Sequence, residues 1–209
     1  MSDFSELTIR RFLGDLASSA PTPGGGTAAA VAGAMGASLV GMVAALTLAR
    51  EKYAAVHDSI RPIAAAAAAS MEELLRLARE DAEAYDGVVA ARRLPNDTDA
   101  ENAARAKRLS EANRRAAQVP LRTARAAAGL LETVPELAEK GNPNAASDSG
   151  AAALLLEAAV QAALLNVAIN LKGLPDSEAV DPMRREMETL QVDSERLRDR
   201  VLQIVRKTL

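Results

Sequence analysis

The segment AAAVAGAMGASLVGMVAALTLA, residues 28–49, carries no charged residue and consists mostly of alanine and other small or apolar residues. Small residues recur in it at every fourth position: Ala29, Gly33, Ala37, Gly41 and Ala45. In a helix, that spacing forms a ridge with almost no side chain, against which another helix backbone packs closely. Bulkier residues occupy the other faces. The segment therefore predicts a helix buried nearly all round, at the centre of the fold or at a subunit interface.

The same segment is long enough to span a bilayer. However, it contains few of the leucine, isoleucine and phenylalanine residues that favour insertion, and no Trp or Tyr belt flanks both its ends. These features favour a buried helix over a membrane span. The opening MSDFSELTIRRF lacks the apolar stretch of a signal peptide. We therefore expect a cytoplasmic protein that does not associate with membranes.

A second apolar run, AAALLLEAAVQAALLNVAINL, lies in a helix predicted at about residues 149–172. Other helices are predicted at about residues 3–18, 25–50 and 58–93, and after Thr98 and Asp181. Thr98 and Glu101 have the spacing of a capping box, and Pro120 is expected to break or kink the helix that follows. Aromatic residues make up only 2% of the chain, which disfavours a β-sandwich or barrel. The sequence predicts one all-α domain over residues 1–209, a bundle of about six helices with two long apolar helices at its centre.

The amino-acid composition excludes several classes of function. The chain has no cysteine and a single histidine, His57, which excludes disulfides, thiolate chemistry and a site built on two histidines. The net charge of −3 gives no bulk attraction to nucleic acid. Neither a metal site nor a nucleic-acid partner is expected.

Asp81 lies where an apolar residue is expected. Positions 74, 77, 78 and 81 share one side of a helix, and the first three are Leu, Leu and Ala. One interpretation is that Asp81 belongs to a solvated acidic run with its neighbours Glu80 and Glu83. The other is that it is an acid on a buried stripe, with a raised pKa that suits general acid–base catalysis.

Two further features allow both a structural and a functional interpretation. Asn166 and Asn170 are four residues apart on an apolar helix, either as an interhelix hydrogen-bonding pair or as amides that line a ligand pocket. The turn PGGGT, residues 23–27, opens a helix with free backbone N–H groups that could bind a carboxylate or phosphate. Alternatively, its glycines let the helix enter a crowded bundle. It matches neither a Walker loop nor a dinucleotide fingerprint.

Several strings, taken in order, cover nearly the whole chain and resemble one family. PTPGGGTAAAVAGAMGASLVGMVAALT at residues 21–47 resembles the opening of the cyclodeaminase/cyclohydrolase family. The similarity continues through EDAEAY at 80–85, RRLP at 92–95, VPL at 119–121, GNPNAASD at 141–148 and LLNVAINL at 164–171. This family includes the C-terminal domain of formiminotransferase-cyclodeaminase and stand-alone methenyltetrahydrofolate cyclohydrolases.

The resemblance implies an all-helical homodimer that acts on a folate, at the one-carbon bridge between N5 and N10. It places the catalytic aspartate at Asp81, as the base that takes a proton from the attacking water. It also implies substrate contacts from Gly24, Gly25, Gly26, Thr27, Lys52, Tyr85, Arg93, Asn142, Asp148, Asn166 and Asn170. No metal is implied, and no cofactor beyond tetrahydrofolate as substrate. Thr27 stands where family members usually carry Ser, which keeps the hydroxyl.

Three activities remain open at this point. One is hydrolysis of 5,10-methenyltetrahydrofolate to 10-formyltetrahydrofolate. The second is cyclodeamination of formiminotetrahydrofolate with release of ammonia. The third is a helical dimer that binds folate without turnover. The two reactions share the same bridge and pocket, so the residues do not separate them.

Overall fold

The computed structural model describes residues 4–174 and 180–209, and every regular element in those ranges is helical. The α-helices are α1 (Ile9–Leu16), α2 (Gly25–Leu48), α3 (His57–Arg92), α4 (Asp99–Leu131), α5 (Val134–Lys140), α6 (Ala146–Leu171) and α7 (Val180–Thr208). Short 3₁₀ turns occupy Phe4–Glu6, Glu51–Val56 and Pro143–Ala145. The structure confirms the predicted all-α bundle, with the long apolar helices α2 and α6 packed side by side in it.

Helix α2 lies between α3 and α6 and runs antiparallel to both. A Cβ atom added at Gly33 would lie 3.2 Å from both Leu74 of α3 and Ala159 of α6. At Gly36 it would lie 2.8 Å from Leu156. The close approach of these three helices therefore depends on residues without side chains, as the small-residue ridge predicts. The C-terminal part of that ridge differs, because Ala45 is exposed.

Helix α4 packs against α3 and α6, and α7 packs mainly against α6. Thr98 and Glu101 form the predicted capping box at the start of α4. Of the break or kink predicted at Pro120, the break is absent, since α4 continues through this buried proline. Proline provides no N–H for the carbonyl four residues earlier, that of Ala116. Asn170 Nδ2 of α6 donates to this oxygen at 2.7 Å, so the carbonyl is satisfied without a helix break.

Other predicted boundaries were close to those observed, with some exceptions. The N-cap of α1 is Thr8, which accepts a hydrogen bond from the Arg11 backbone N–H. The first residue of the helix predicted at about 3–18 lies outside the described residues. Helix α5 was not anticipated as a separate element, and Pro135 occupies its first turn.

Helices α2 and α6 each leave one apolar face uncovered. On α2, Met35 is 55% exposed, and on α6 Leu165 and Ile169 are 73% and 58% exposed. Met42, Leu46 and Leu154 extend the two stripes. By length and composition alone both helices could cross a membrane, although about half of each is buried inside the bundle. Within the single chain α2 is therefore not buried nearly all round, and its predicted burial at a subunit interface stays a prediction.

Candidate functional site

A cleft of about 530 Å³ lies at the N-terminal end of α2. Gly24, which caps α2, and Gly25 and Gly26 of its first turn form one side of the cleft. Helix α3 contributes Asp81, Tyr85, Val88 and Arg92, and α4 contributes Asn113 and Ala116. Helix α6 and the residues after it contribute Asn166, Ile169, Asn170, Lys172 and Gly173. Much of the predicted site, from three separate stretches of sequence, is thus brought together.

The carboxylate of Asp81 lies directly against the first turn of α2. Thr27 Oγ1 donates a hydrogen bond to Asp81 Oδ2 at 3.0 Å, and the Thr27 backbone N–H also donates to this carboxylate. A Cβ at Gly26 would lie 2.2 Å from Asp81 Oδ1, far closer than atoms in contact come. Glycine at this position therefore allows the carboxylate to reach the helix end. The positive end of the α2 helix dipole therefore interacts with the carboxylate of Asp81, a side chain of the protein itself.

The electrostatic environment of Asp81 combines opposing effects. Burial raises the pKa of the Asp81 carboxyl above its ordinary value, because the charged form loses hydration. The hydrogen bonds from Thr27 act in the opposite direction but leave a net rise. Of the two interpretations of Asp81, the structure supports the acid on a buried stripe. A poorly hydrated carboxylate at the edge of a cleft is well suited to accept or return a proton.

Asn166 and Asn170 face the cleft from α6, and each also has a structural hydrogen bond. Asn166 Nδ2 donates to the Ala162 carbonyl at 2.8 Å, and its amide lies against Gly25. Asn170 Nδ2 donates to the Ala116 carbonyl on α4. Among the described residues, neither Oδ1 atom accepts a hydrogen bond, so each amide is anchored through its nitrogen. The structural and the ligand-binding interpretations are therefore compatible for both residues.

Five predicted substrate contacts do not line this cleft. One is Thr27, which is fully buried and donates its hydrogen bond to Asp81. Arg93 is exposed beyond the end of α3, and its neighbour Arg92 lines the cleft instead. Lys52, Asn142 and Asp148 lie at the opposite end of α2 and the start of α6. Because α2 has 24 residues, about 35 Å separates its two ends. Within one chain these three residues are too distant to contact a small molecule held at Asp81.

The cluster at the far end of α2 has its own internal contacts. Asn142 is buried, donates its backbone N–H to Thr47 Oγ1 at 2.9 Å, and accepts from Tyr53 OH at 3.1 Å. Lys52 Nζ lies 4.7 Å from the centre of the Tyr53 ring, in a cation–π contact. These contacts join the C-terminal end of α2 to the loop before α6. They explain Asn142 as a structural residue of the monomer.

Two cations of the cleft, Arg92 and Lys172, were not predicted. A signal for Arg92 was present, because residues 81, 85, 88 and 92 continue the helical stripe that identifies Asp81. Arg93 lies about 100° further around the helix, since each residue advances by that angle at 3.6 residues per turn. Lys172 follows the end of α6, where periodicity carries no information about direction.

Comparison with known proteins gives consistent similarities. A family model described as formiminotransferase-cyclodeaminase matches residues 8–189. A methenyltetrahydrofolate cyclohydrolase from Methylorubrum extorquens is 41% identical over 199 residues, covering 95% of this chain and 96% of that protein. In three dimensions the chain is similar to a formiminotetrahydrofolate cyclodeaminase from Thermotoga maritima. The TM-score is 0.87 and the identity 32%, with 97% of this chain and 98% of that chain covered.

The similarity also extends to longer eukaryotic proteins. Formimidoyltransferase-cyclodeaminase from Sus scrofa is 35% identical over 182 residues, which cover 87% of this chain but only 34% of that protein. The chain thus spans nearly the full length of the two bacterial proteins and about a third of this longer relative.

Proposed function

The chain belongs to the formiminotransferase-cyclodeaminase family, and we propose that it is a folate one-carbon enzyme that hydrolyses 5,10-methenyltetrahydrofolate to 10-formyltetrahydrofolate. The observation that carries this proposal is the Asp81 carboxylate, held against the start of α2 at the edge of a cleft. The similarity to the Methylorubrum extorquens cyclohydrolase over nearly both full lengths supports this choice of reaction.

The chemistry requires a base beside a cation. The methenyl carbon joins N5 and N10 in an amidinium-like cation, which a nearby carboxylate stabilises. In the proposed mechanism Asp81 takes a proton from water as the water oxygen bonds to this carbon. The bond between the carbon and N5 then breaks, Asp81 returns a proton to N5, and the hydroxyl group on the carbon loses its proton to solvent as it becomes the formyl carbonyl. One water is consumed, one proton is released overall, and the formyl group remains on N10.

The remaining cleft residues have proposed positioning roles. The backbone of Gly24, Gly25 and Gly26 forms the wall beside Asp81, while Thr27 orients its carboxylate. Tyr85 provides an aromatic surface one turn further along α3. The free Oδ1 atoms of Asn166 and Asn170 are suited to accept hydrogen bonds from N–H groups of the substrate. No cofactor beyond tetrahydrofolate as substrate enters this mechanism.

A second reaction has its own support. The Thermotoga maritima protein that shares this fold is described as a formiminotetrahydrofolate cyclodeaminase. In that reaction N10 attacks the formimino carbon on N5, ammonia leaves, and the methenyl bridge forms. The same carboxylate could transfer the proton that N10 loses to the leaving ammonia. A folate-binding dimer without turnover is the third alternative.

Parallel assays separate these alternatives. The purified protein is incubated with methenyltetrahydrofolate and, separately, with formiminotetrahydrofolate, beside enzyme-free controls. With methenyltetrahydrofolate, loss of methenyl absorbance faster than in the enzyme-free control supports the cyclohydrolase. With formiminotetrahydrofolate, appearance of methenyl absorbance together with ammonia release supports the cyclodeaminase. Folate binding with neither change supports the third alternative. For the active reaction we expect Asp81→Asn to lower kcat by 10²- to 10⁴-fold, as is typical for a general acid–base residue. A decrease of less than about threefold contradicts the assignment of Asp81.

The apolar stripes of α2 and α6 support the further proposal of a homodimer. Their exposed side chains, which include Met35, Leu154 and Leu165, form a face without charges on two adjacent helices. A second copy related by a two-fold axis would cover this face with the same face. The assembly would then expose no large apolar surface there. On this basis we propose a soluble, cytoplasmic dimer and not a membrane protein.

The dimer also gives a proposed role to the residues outside the cleft. The exposed stripe of α2 is centred near Gly41, and a two-fold axis perpendicular to the helix at that point would pair the two α2 helices in opposite directions. The start of one α2 then lies near the end of the other. Lys52 and Asp148 of a second copy would approach the cleft, whose rim residue Ile169 belongs to the α6 stripe. Arg93, which is exposed beyond α3, has no role in this proposal.

A further inference from the structure

The cleft has a definite direction. Helices α3 and α6 are both antiparallel to α2, so they run parallel to each other. Gly26 lies against Asp81 and Gly25 against Asn166, which places these two residues at the same level, beside the start of α2. From that level, α3 continues to Arg92 and α6 to Lys172. At about 1.5 Å per residue, the two cations lie roughly 16 and 9 Å further along the helix axes.

The charges at the two ends of the cleft are opposite. Asp81 is the acidic residue among those that line it, while Arg92 and Lys172 provide positive charge at the other end. Neither cation forms an ion pair with any residue in the described part of the chain. Other arginines of α3 and α4 do, as Arg76 and Arg122 both pair with Glu73 and Glu80. The cations at the cleft end are therefore available to an anionic ligand.

The surface between the two ends combines apolar side chains with the amides of Asn113 and Asn170. Tyr85 and Val88 follow Asp81 on successive turns of α3, and Ile169 faces them from α6. Ile169 is 58% exposed and Tyr85 38% exposed, so the ring and the aliphatic side chain are accessible. A ligand that matches the order of these surfaces along the cleft has a cationic group, then a flat apolar group, then one or more anionic groups.

We propose that Arg92 and Lys172 bind the glutamate carboxylates of the folate substrate, while the aminobenzoyl ring lies along Tyr85, Val88 and Ile169. This inference rests on the proposed function, which places the one-carbon bridge at Asp81. From bond lengths, the extended aminobenzoylglutamate portion spans on the order of 10 Å beyond the bridge. An arginine side chain reaches about 6 Å, so the carboxylates come within its range. Arginine is suited to this role because its planar fork binds a carboxylate with two parallel hydrogen bonds.

The test compares substrates with and without the tail. Methenyltetrahydrofolate and methenyltetrahydropteroate, which lacks glutamate, are assayed with the wild type, Arg92→Ala, Lys172→Ala and the matched control Arg93→Ala. We expect Arg92→Ala to raise KM for the glutamyl substrate by about 10- to 100-fold, the range of one charge-assisted interaction, with kcat within about threefold. For the pteroate, Arg92→Ala and the wild type have the same KM. Arg93→Ala matches the wild type on both substrates.

A similar rise of KM for both substrates overturns the proposal, because it indicates general attraction or distortion of the cleft. Equal effects of Arg92→Ala and Arg93→Ala also overturn it. Calorimetric binding of 5-formyltetrahydrofolate and its pteroate analogue provides a readout that needs no turnover. Tail-dependent binding that Arg92→Ala abolishes, without turnover of any substrate, refutes the proposed reaction but retains the tail site. Turnover without any dependence on the tail retains the reaction and refutes the tail site.

Discussion

Gly26→Ala tests the position of the proposed catalytic carboxylate, that of Asp81, more directly than a change to the carboxylate itself. The added methyl would lie 2.2 Å from Asp81 Oδ1 and 2.6 Å from its Cγ, so the carboxyl group must move by more than 1 Å to reach ordinary contact distance. A displacement of about 1 Å in a catalytic group can lower a rate by about 10²-fold. We therefore expect kcat to fall by at least about 10²-fold, although Asp81 is still present.

Stability should change much less than activity in this variant. Alanine is a better helix former than glycine by about 1 kcal/mol. Against this gain, the displaced carboxylate loses its hydrogen bond from Thr27, and a hydrogen bond to a charged group contributes about 1.5–3 kcal/mol. The net effect is a destabilisation of roughly 0.5–2 kcal/mol, the difference between these two ranges. Urea unfolding followed by circular dichroism measures it, together with steady-state turnover of methenyltetrahydrofolate.

Gly129→Ala is the matched control. Gly129 is an exposed residue of α4, and a Cβ added there meets nothing within 4 Å. We expect this variant to keep wild-type turnover and to gain up to about 1 kcal/mol of stability. If Gly26→Ala also keeps wild-type turnover while Asp81→Asn does not, the carboxylate is not seated against the start of α2, and the reasoning from that contact is wrong.

Two further predictions concern the acid limb of activity and the apolar face. Thr27→Val removes a hydrogen-bond donor that lowers the pKa of Asp81, so this pKa rises further. Because the base must be ionised to act, the acid limb of the kcat/KM profile moves to higher pH. Thr27→Ser keeps the hydroxyl and leaves the acid limb in place. An unmoved or lowered limb in Thr27→Val argues against this hydrogen bond. Leu165→Glu introduces a charge into the stripe of α6 and should convert a dimer to monomers in sedimentation, whereas Val192→Glu, at a residue of α7 that is 63% exposed, should not. A monomeric wild type refutes the dimer, and co-sedimentation of the wild type with lipid vesicles supports the membrane alternative.

Local patterns predicted the parts of this fold that depend on neighbouring residues. The four-residue spacing of small residues identifies α2 as a central packing helix, and Thr98 with Glu101 identifies the start of α4. The apolar stripe on α3 identifies Asp81 as a carboxyl group that faces the interior. Each of these inferences uses residues within a few turns of one another, where helical geometry fixes their relative direction.

Features that depend on distant residues were not predictable in this way. The continuity of α4 through Pro120 depends on Asn170, fifty residues later, which donates to the carbonyl that proline leaves free. Similarly, the family resemblance supplies the order of Lys52, Asn142 and Asp148 along the chain but not their distance from Asp81. That distance follows from the length of α2, with these residues at one end and Asp81 at the other.

The arrangement of charge along the cleft bears on the orientation of the substrate. In the proposed orientation, the cationic bridge lies beside Asp81, and the tail carboxylates lie beside Arg92 and Lys172. In the reversed orientation, the cationic bridge of the substrate would lie beside Arg92 and Lys172, and its tail carboxylates would lie beside Asp81. Every contact between charges would then be repulsive. Because Asp81 is only partly exposed, the interactions of its carboxylate are screened less by solvent and salt than those of surface charges. Discrimination against the reversed orientation therefore depends on the charges at both ends of the cleft.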